Sequence, residues 1–207
     1  MKKTQEIHLL SSGEDMDAVL NEAVEFSKNM NLSEKEALRI RLLTEETLGM
    51  IRTLTGGIEL AICFIGNENE CIIRVETDTM IDALEKQEIL AVSSTGKNVL
   101  VKGIMGKIRD VFETVFLMPM GADFSMYAAP SMMIGMPTDV YSGQLMDTVY
   151  WTLNSYKKNV RDGKEWPQQE EYWDELEKSI VSNIADDVQV GVKNGHVVMS
   201  IIYKCGK

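Results

Sequence analysis

Residues 42–75 restrict the fold more than any other part of the chain. They read LLTEETLGMIRTLTGG, then IELAICFI, a polar loop and CIIRVE. Ala37, Ile40, Thr44, Leu48, Ile51 and Leu54 recur every three or four residues, which sets them along one stripe of a helix. Gly56-Gly57 stops that helix, because glycine accepts the left-handed conformation that ends one. Beyond it, Ile58, Leu60, Ile62 and Phe64 alternate with other residues, as a half-buried strand requires. Gly66-Asn67-Glu68-Asn69-Glu70 forms a polar loop, and Cys71, Ile73, Val75 and Thr77 alternate on the way back. The result is an antiparallel hairpin whose apolar face needs a helical layer to cover it.

The flanking segments extend this pattern. Residues 6–10 read as a short opening strand, and Ser12 with Asp15 has capping-box spacing. Met16, Val19, Leu20, Ala23, Val24, Ser27 and Met30 then form one helical stripe, broken at 29–32. Ser33 with Glu36 is a second capping box, so two helices form a pair on one face of the sheet. Residues 81–90 read as a short helix or an irregular segment, and VSSTGKN (92–98) as a loop. Gly103 opens a helix that runs to Phe116. Residues 116–141 show no period and are rich in Met, Pro and Gly. Eight of the 14 Met residues fall between Met105 and Met146, a texture that suits an irregular core or an adaptable surface. The spacing predicts a helix over 143–161 with Leu145, Val149, Thr152, Leu153 and Tyr156 on one side. A further helix starts at Trp166-Pro167 and carries Tyr172, Trp173, Leu176, Ile180 and Ile184. Trp151, Trp166 and Trp173 are placed to pin these later helices to the body. Asn194-Gly195 is a favoured hairpin turn that sets Val192 opposite Val197, Val190 opposite Met199 and Val188 opposite Ile201.

Composition narrows the function. At 207 residues with 44% hydrophobic content, the chain reads as one large domain or two small ones, long enough to bury a substantial core. The net charge of -11 argues against nucleic acid, whose phosphates need clustered Lys and Arg. Polar residues follow Met1-Lys2-Lys3 and no apolar run is long enough to span a bilayer, so a cytoplasmic location is expected. Cys63, Cys71 and Cys205 read as separate buried thiols in a reducing compartment. His8 and His196 are too few for a metal centre or a Ser/His/Asp hydrolase, and no metal ligands are assigned. Thr95-Gly96-Lys97 is not a phosphate-binding P-loop, since Asn98 follows the lysine and Ala91 stands where a glycine is required.

Strand, helix, helix and hairpin in this order, with TEETLG inside the second helix, resemble the GHKL (histidine-kinase-like) ATPases, closest to the anti-sigma-factor serine kinases. The resemblance implies a single domain, 1–207, with an α/β (α+β) fold, a two-layer sandwich of mainly antiparallel sheet with helices on one face. Residues 117–167 are then an insertion relative to compact family members, or a separate helical subdomain. It implies ATP and Mg²⁺ as cofactors, with Glu45 as the acid that polarises the attacking group. The residue-level alternative for Glu45-Glu46 is a solvated helix edge. Gly49 stands where the family carries its Mg²⁺-binding Asn, and glycine has no side-chain oxygen to offer a hard cation. Thr77 stands at the adenine-reading Asp, with Thr79 and Ile81 at the two glycines of that motif. In the lid, Gly96 and Lys97 precede Gly103 and Gly106, where a helix start presents backbone N–H groups to an anion; Lys97, Lys102 or Lys107 would add charge. The implied partner is a protein, a sigma factor or an antagonist, and an oligomer is compatible with this class. Three readings follow. The first is a regulatory or interaction protein with weak, altered or lost ATP binding; the second is an active serine kinase; the third binds another small ligand in the same cleft.

Overall fold

A computed structural model of the chain describes residues 1–12, 16–54, 58–67, 69–78, 103–117, 134–136, 148–162, 169–193 and 196–206. The strands are β1 (Lys2–Lys3), β2 (Ile7–Leu10), β3 (Glu59–Gly66), β4 (Glu70–Asp78), β5 (Thr148–Thr152), β6 (Asp187–Lys193) and β7 (His196–Lys204). The helices are α1 (Met16–Asn29), α2 (Glu34–Ile51), α3 (Ile104–Leu117), α4 (Leu153–Asp162), α5 (Gln169–Lys178) and α6 (Ile180–Ile184). All strands join one sheet in the order β1-β3-β4-β7-β6-β5, with β2 also on β3. Every pairing is antiparallel. The fold is α+β, an open antiparallel sheet with a helical layer, as expected.

α2 forms where its capping residues dictate. Ser33 is the N-cap, its Oγ accepting from the Glu36 N–H at 3.4 Å while its own N–H donates to Glu36 Oε2 at 3.0 Å. Two orphan donors of the first turn are thereby satisfied. Ile40, Leu43, Thr44, Thr47, Leu48 and Ile51 are buried along one stripe. Thr44 and Thr47 keep their hydroxyls satisfied in that apolar setting by donating to the carbonyls of Ile40 and Leu43. α1 packs beside α2 as the stripe spacing predicts, and α2 also touches α3 and α6.

Strand alternation divides the sheet into two unlike faces. Leu60, Ile62, Phe64, Cys71, Ile73, Val75, Val197, Met199, Ile201 and Tyr203 lie under the helices, each at most 2% exposed. On the other face Ile65, Ile72, Arg74, Glu76, Val198, Ser200 and Ile202 are only half-buried. Each β7 residue faces its expected β6 partner, including Val192 with Val197 and Val188 with Ile201. The turn residues Asn194 and Gly195 lie outside the described residues. β7 also pairs with β4, so the C-terminal hairpin belongs to the same sheet as β3 and β4.

The outer edge at β1 and β2 carries one extra residue. Lys3 faces Ile65 and Ile7 faces Ile62, so four steps on the edge match three on β3. Thr4 sits in this bulge, its N–H on Phe64 O and its hydroxyl accepting from Phe64 N–H at 3.0 Å. A bulge and two lysines blunt an edge that would otherwise pair with another chain.

Several expectations are corrected. The helix expected over 143–161 begins only at Leu153; Thr148–Thr152 is strand β5, paired with β6 from Thr148–Lys193 to Thr152–Gln189. TVYWT is β-branched and aromatic, a composition that favours an open sheet edge over a helical turn. β5 and α4 thus place part of 117–167 within the common sheet and its helical layer. The helix expected to run on to Ile184 is two helices, because Ser179 caps α6 by accepting from Ser182 N–H at 3.1 Å. Trp151 is buried as expected, but Trp173 is 43% exposed and only bonds Glu177 one turn on. Cys71 and Cys205 are not separate, since the β4–β7 register brings them into contact. The first capping box, the 79–102 segment and Trp166 lie outside the described residues.

Candidate functional site

The positions implied for nucleotide chemistry fall on α2, β4 and the start of α3. Glu45 and Gly49 are one turn apart on α2, so they share a face that lies off the buried stripe. Glu45 is exposed, and its Oε1 accepts from Arg41 Nε at 2.9 Å. Gly49 is exposed too, and a Cβ added there would meet nothing within 4 Å. Its missing side chain is therefore not explained by close packing among the described residues. Glu46 differs from its neighbour: it is half-buried, and burial, with the Glu45 charge beside it, pushes its carboxyl above the usual range.

Thr77 faces the helices on β4 and is 5% exposed. Its hydroxyl donates to Glu59 O at 2.7 Å, a bond within the sheet. Gly103 has φ +81, a left-handed conformation that glycine adopts without strain, and its carbonyl accepts from Lys107 N–H in the first turn of α3. Gly106 is buried one turn along. α3 packs against α2, so Gly103 and Gly106 open a helix that abuts the one carrying Glu45 and Gly49. Thr79, Gly96 and Lys97 lie outside the described residues, as does Lys102.

Lys107 is engaged rather than directed at an anion. Its ammonium is 3.1 Å from Glu175 Oε2 and lies over the rings of Tyr172 (4.8 Å) and Tyr156 (5.7 Å). With its side chain 12% exposed, the lysine is held by charge and by cation–π attraction together. Burial and the nearby Glu175 charge push the Tyr156 phenol up, so it stays a neutral donor. This cluster between α3, α4 and α5 was not legible in the sequence, because Lys107, Tyr156 and Glu175 lie on three separate helices.

These side chains do not fit Mg-ATP. Gly49 has no side-chain oxygen, one Glu45 oxygen is taken by Arg41, and the Thr77 hydroxyl is committed to a backbone carbonyl. Among the described residues no group of three or more His, Cys, Asp or Glu side chains is arranged to hold a metal ion. A shallow cleft of about 510 Å³ lies elsewhere, between the ends of α1 and β3, lined by Lys2, Asn29, Asn31, Asn67 and Asn69 among others.

A second polar cluster sits on the sheet face turned away from the described helices. His196 Nδ1 lies 2.7 Å from Asp78 Oδ1 and Nε2 lies 3.2 Å from Glu76 Oε2, with Glu76 also paired to Arg74. The hydrogen bond to Asp78 above all holds the imidazole above its usual range; burial opposes it, and the Asp78 charge with the Glu76 hydrogen bond and charge adds to it. The same face carries an apolar row: Ile65 pairs with Ile72, and Ile72 with Ile202, across three adjacent strands. Lys3 and Asp187 close its two ends.

Comparisons with known proteins add no relative: no family model, curated protein or solved structure matches the chain. Among the described residues no helix is long and apolar enough to cross a membrane.

Proposed function

We propose that the chain is a cytoplasmic regulatory protein that works by binding another protein, on a histidine-kinase-like scaffold whose ATP binding is weakened or lost. The commitment of Thr77 carries this reading: its hydroxyl, at the adenine-reading position, is spent on Glu59 O inside the sheet. Gly49 and the Arg41-bound Glu45 support it from the metal side. The half-buried row Ile65–Ile72–Ile202 supports the interaction half, since an apolar row that the described helices leave half-exposed suits a protein surface. A sigma factor or its antagonist is the partner class that the resemblance implies. Isothermal calorimetry with Mg-ATP is the test. A Kd weaker than about 100 μM is expected, less than roughly 5.5 kcal/mol of binding; low-micromolar, Mg²⁺-dependent binding contradicts the reading.

One observation favours an active serine kinase instead. Burial, with the Glu45 charge beside it, raises the Glu46 carboxyl on α2, which favours a proton-accepting role. Phosphotransfer to a serine-bearing protein, lost in Glu46→Ala or Glu45→Ala, would establish that alternative, and the residue whose loss matters would identify the acid.

A further inference from the structure

Two of the three thiols are within reach of each other. Cys71 Sγ and Cys205 Sγ are 3.3 Å apart, although 134 residues separate them in sequence. The β4–β7 register produces this: Cys71 pairs with Tyr203, and Cys205 follows two residues later, its N–H on Asn69 O at 2.8 Å. Both thiols are free, Cys71 fully buried and Cys205 half-buried. Cys63 is in the adjacent strand but belongs to the opposite face, beside Arg74, and cannot join them.

We propose that Cys71 and Cys205 are a peroxide-responsive pair that closes to an intramolecular disulfide. Cys205, the more exposed thiol, gives up its proton, and its sulfur attacks one oxygen of a hydroperoxide, breaking the O–O bond. It becomes a sulfenic acid and the other oxygen leaves as water once protonated. Cys71 Sγ then attacks the Cys205 sulfur and expels hydroxide, which takes the Cys71 proton and leaves as a second water. In total two thiols and one hydrogen peroxide give one disulfide and two waters; each sulfur loses one electron and the peroxide gains two. Bonding requires the sulfurs to close to about 2.05 Å, a short approach from van der Waals contact. The bond fastens the end of β7 to the start of β4. It also acts on α2, because Gly206, next to Cys205, donates its N–H to Glu36 Oε1 at 2.8 Å, and Glu36 caps that helix.

The test treats the fully reduced protein with about one equivalent of hydrogen peroxide, matching the two-electron balance, then denatures, alkylates and maps the peptides by mass. The expected product is the Cys71–Cys205 cross-linked peptide, lighter than the paired thiols by about 2 Da, with Cys63 alkylated and the cross-link reversed by dithiothreitol. In Cys205→Ser the cross-link is absent and Cys71 is alkylated. Cys205 driven to sulfinic acid beside an alkylated Cys71 overturns the idea, and so does an intermolecular dimer as the main product.

Discussion

His196 concentrates what a single residue does on the sheet face turned away from the described helices. It joins β7 to the end of β4 through Asp78 and Glu76, and it lies opposite Lys193 of β6. Its folded pKa is raised above the unfolded value, so the protonated ring stabilises the native state. That contribution is fully present below about pH 6.5, the free imidazole value, and is lost as pH rises through the raised folded pKa. Urea midpoints measured from pH 5 to 9 should fall over that window in the native sequence, and His196→Gln should flatten the profile. The neighbours Glu45 and Glu46 make a second residue-scale contrast. Burial disfavours the charged form of Glu46, so Glu46→Gln should raise the melting temperature at pH 7. Glu45→Gln should lower stability by only about 0.3–0.5 kcal/mol, the worth of an exposed i,i+4 pair. The same two variants swapping behaviour would show that the carboxylates have been assigned the wrong surroundings. Glu45's exposure was legible, because it falls off the Ile40–Thr44–Leu48–Ile51 stripe. Glu46's partial burial was not, because a helical stripe says nothing about how far the flanking positions are covered.

Elements were legible where local chemistry sets them. Ser33 and Glu36 mark the start of α2 within three residues of each other, and Ser33→Ala should cost about 1 kcal/mol in a denaturation experiment. Alternation fixed the faces of β3, β4, β6 and β7, including the burial of Thr77. Where two periods compete, the pattern fails: Val149, Thr152 and Tyr156 fit a helical stripe, yet Thr148–Thr152 pairs with β6. Pairing with β6 decided that contest, and the β-branched, aromatic composition of TVYWT was its one local sign. β5 also depends on a contact remote in sequence. Thr152 N–H donates to Gly135 O, and a Cβ on Gly135 would sit 1.7 Å from Trp151 Nε1. Asn159 of α4 holds the same short segment through Ile134 O at 2.7 Å. Gly135→Ala should therefore destabilise by about 2–3 kcal/mol through overpacking, read as a lower urea midpoint with an unchanged slope. An unaltered midpoint would mean that this segment does not lie against Trp151.

At the scale of the whole molecule, the sheet joins residues that the sequence keeps far apart. The β4–β7 pairing alone creates the thiol pair across 134 residues and the His196–Asp78 contact across 118. Neither could be anticipated from spacing, because register between distant strands is fixed only once both hairpins share a sheet. The two faces of that sheet divide the labour of the proposed function. One is closed under six described helices, and the other leaves Ile65, Ile72 and Ile202 half-buried among charges. On the proposed reading the molecule recognises a partner by surface, with α2 as a support rather than a nucleotide-binding helix. Amide hydrogen exchange of α2 and of β4, followed with and without about 10 μM Mg-ATP, well below the expected Kd, tests that claim most directly. The account predicts identical exchange in both states across Glu34–Ile51 and at Thr77. Slowed exchange around Glu45–Gly49 that requires Mg²⁺ would contradict it.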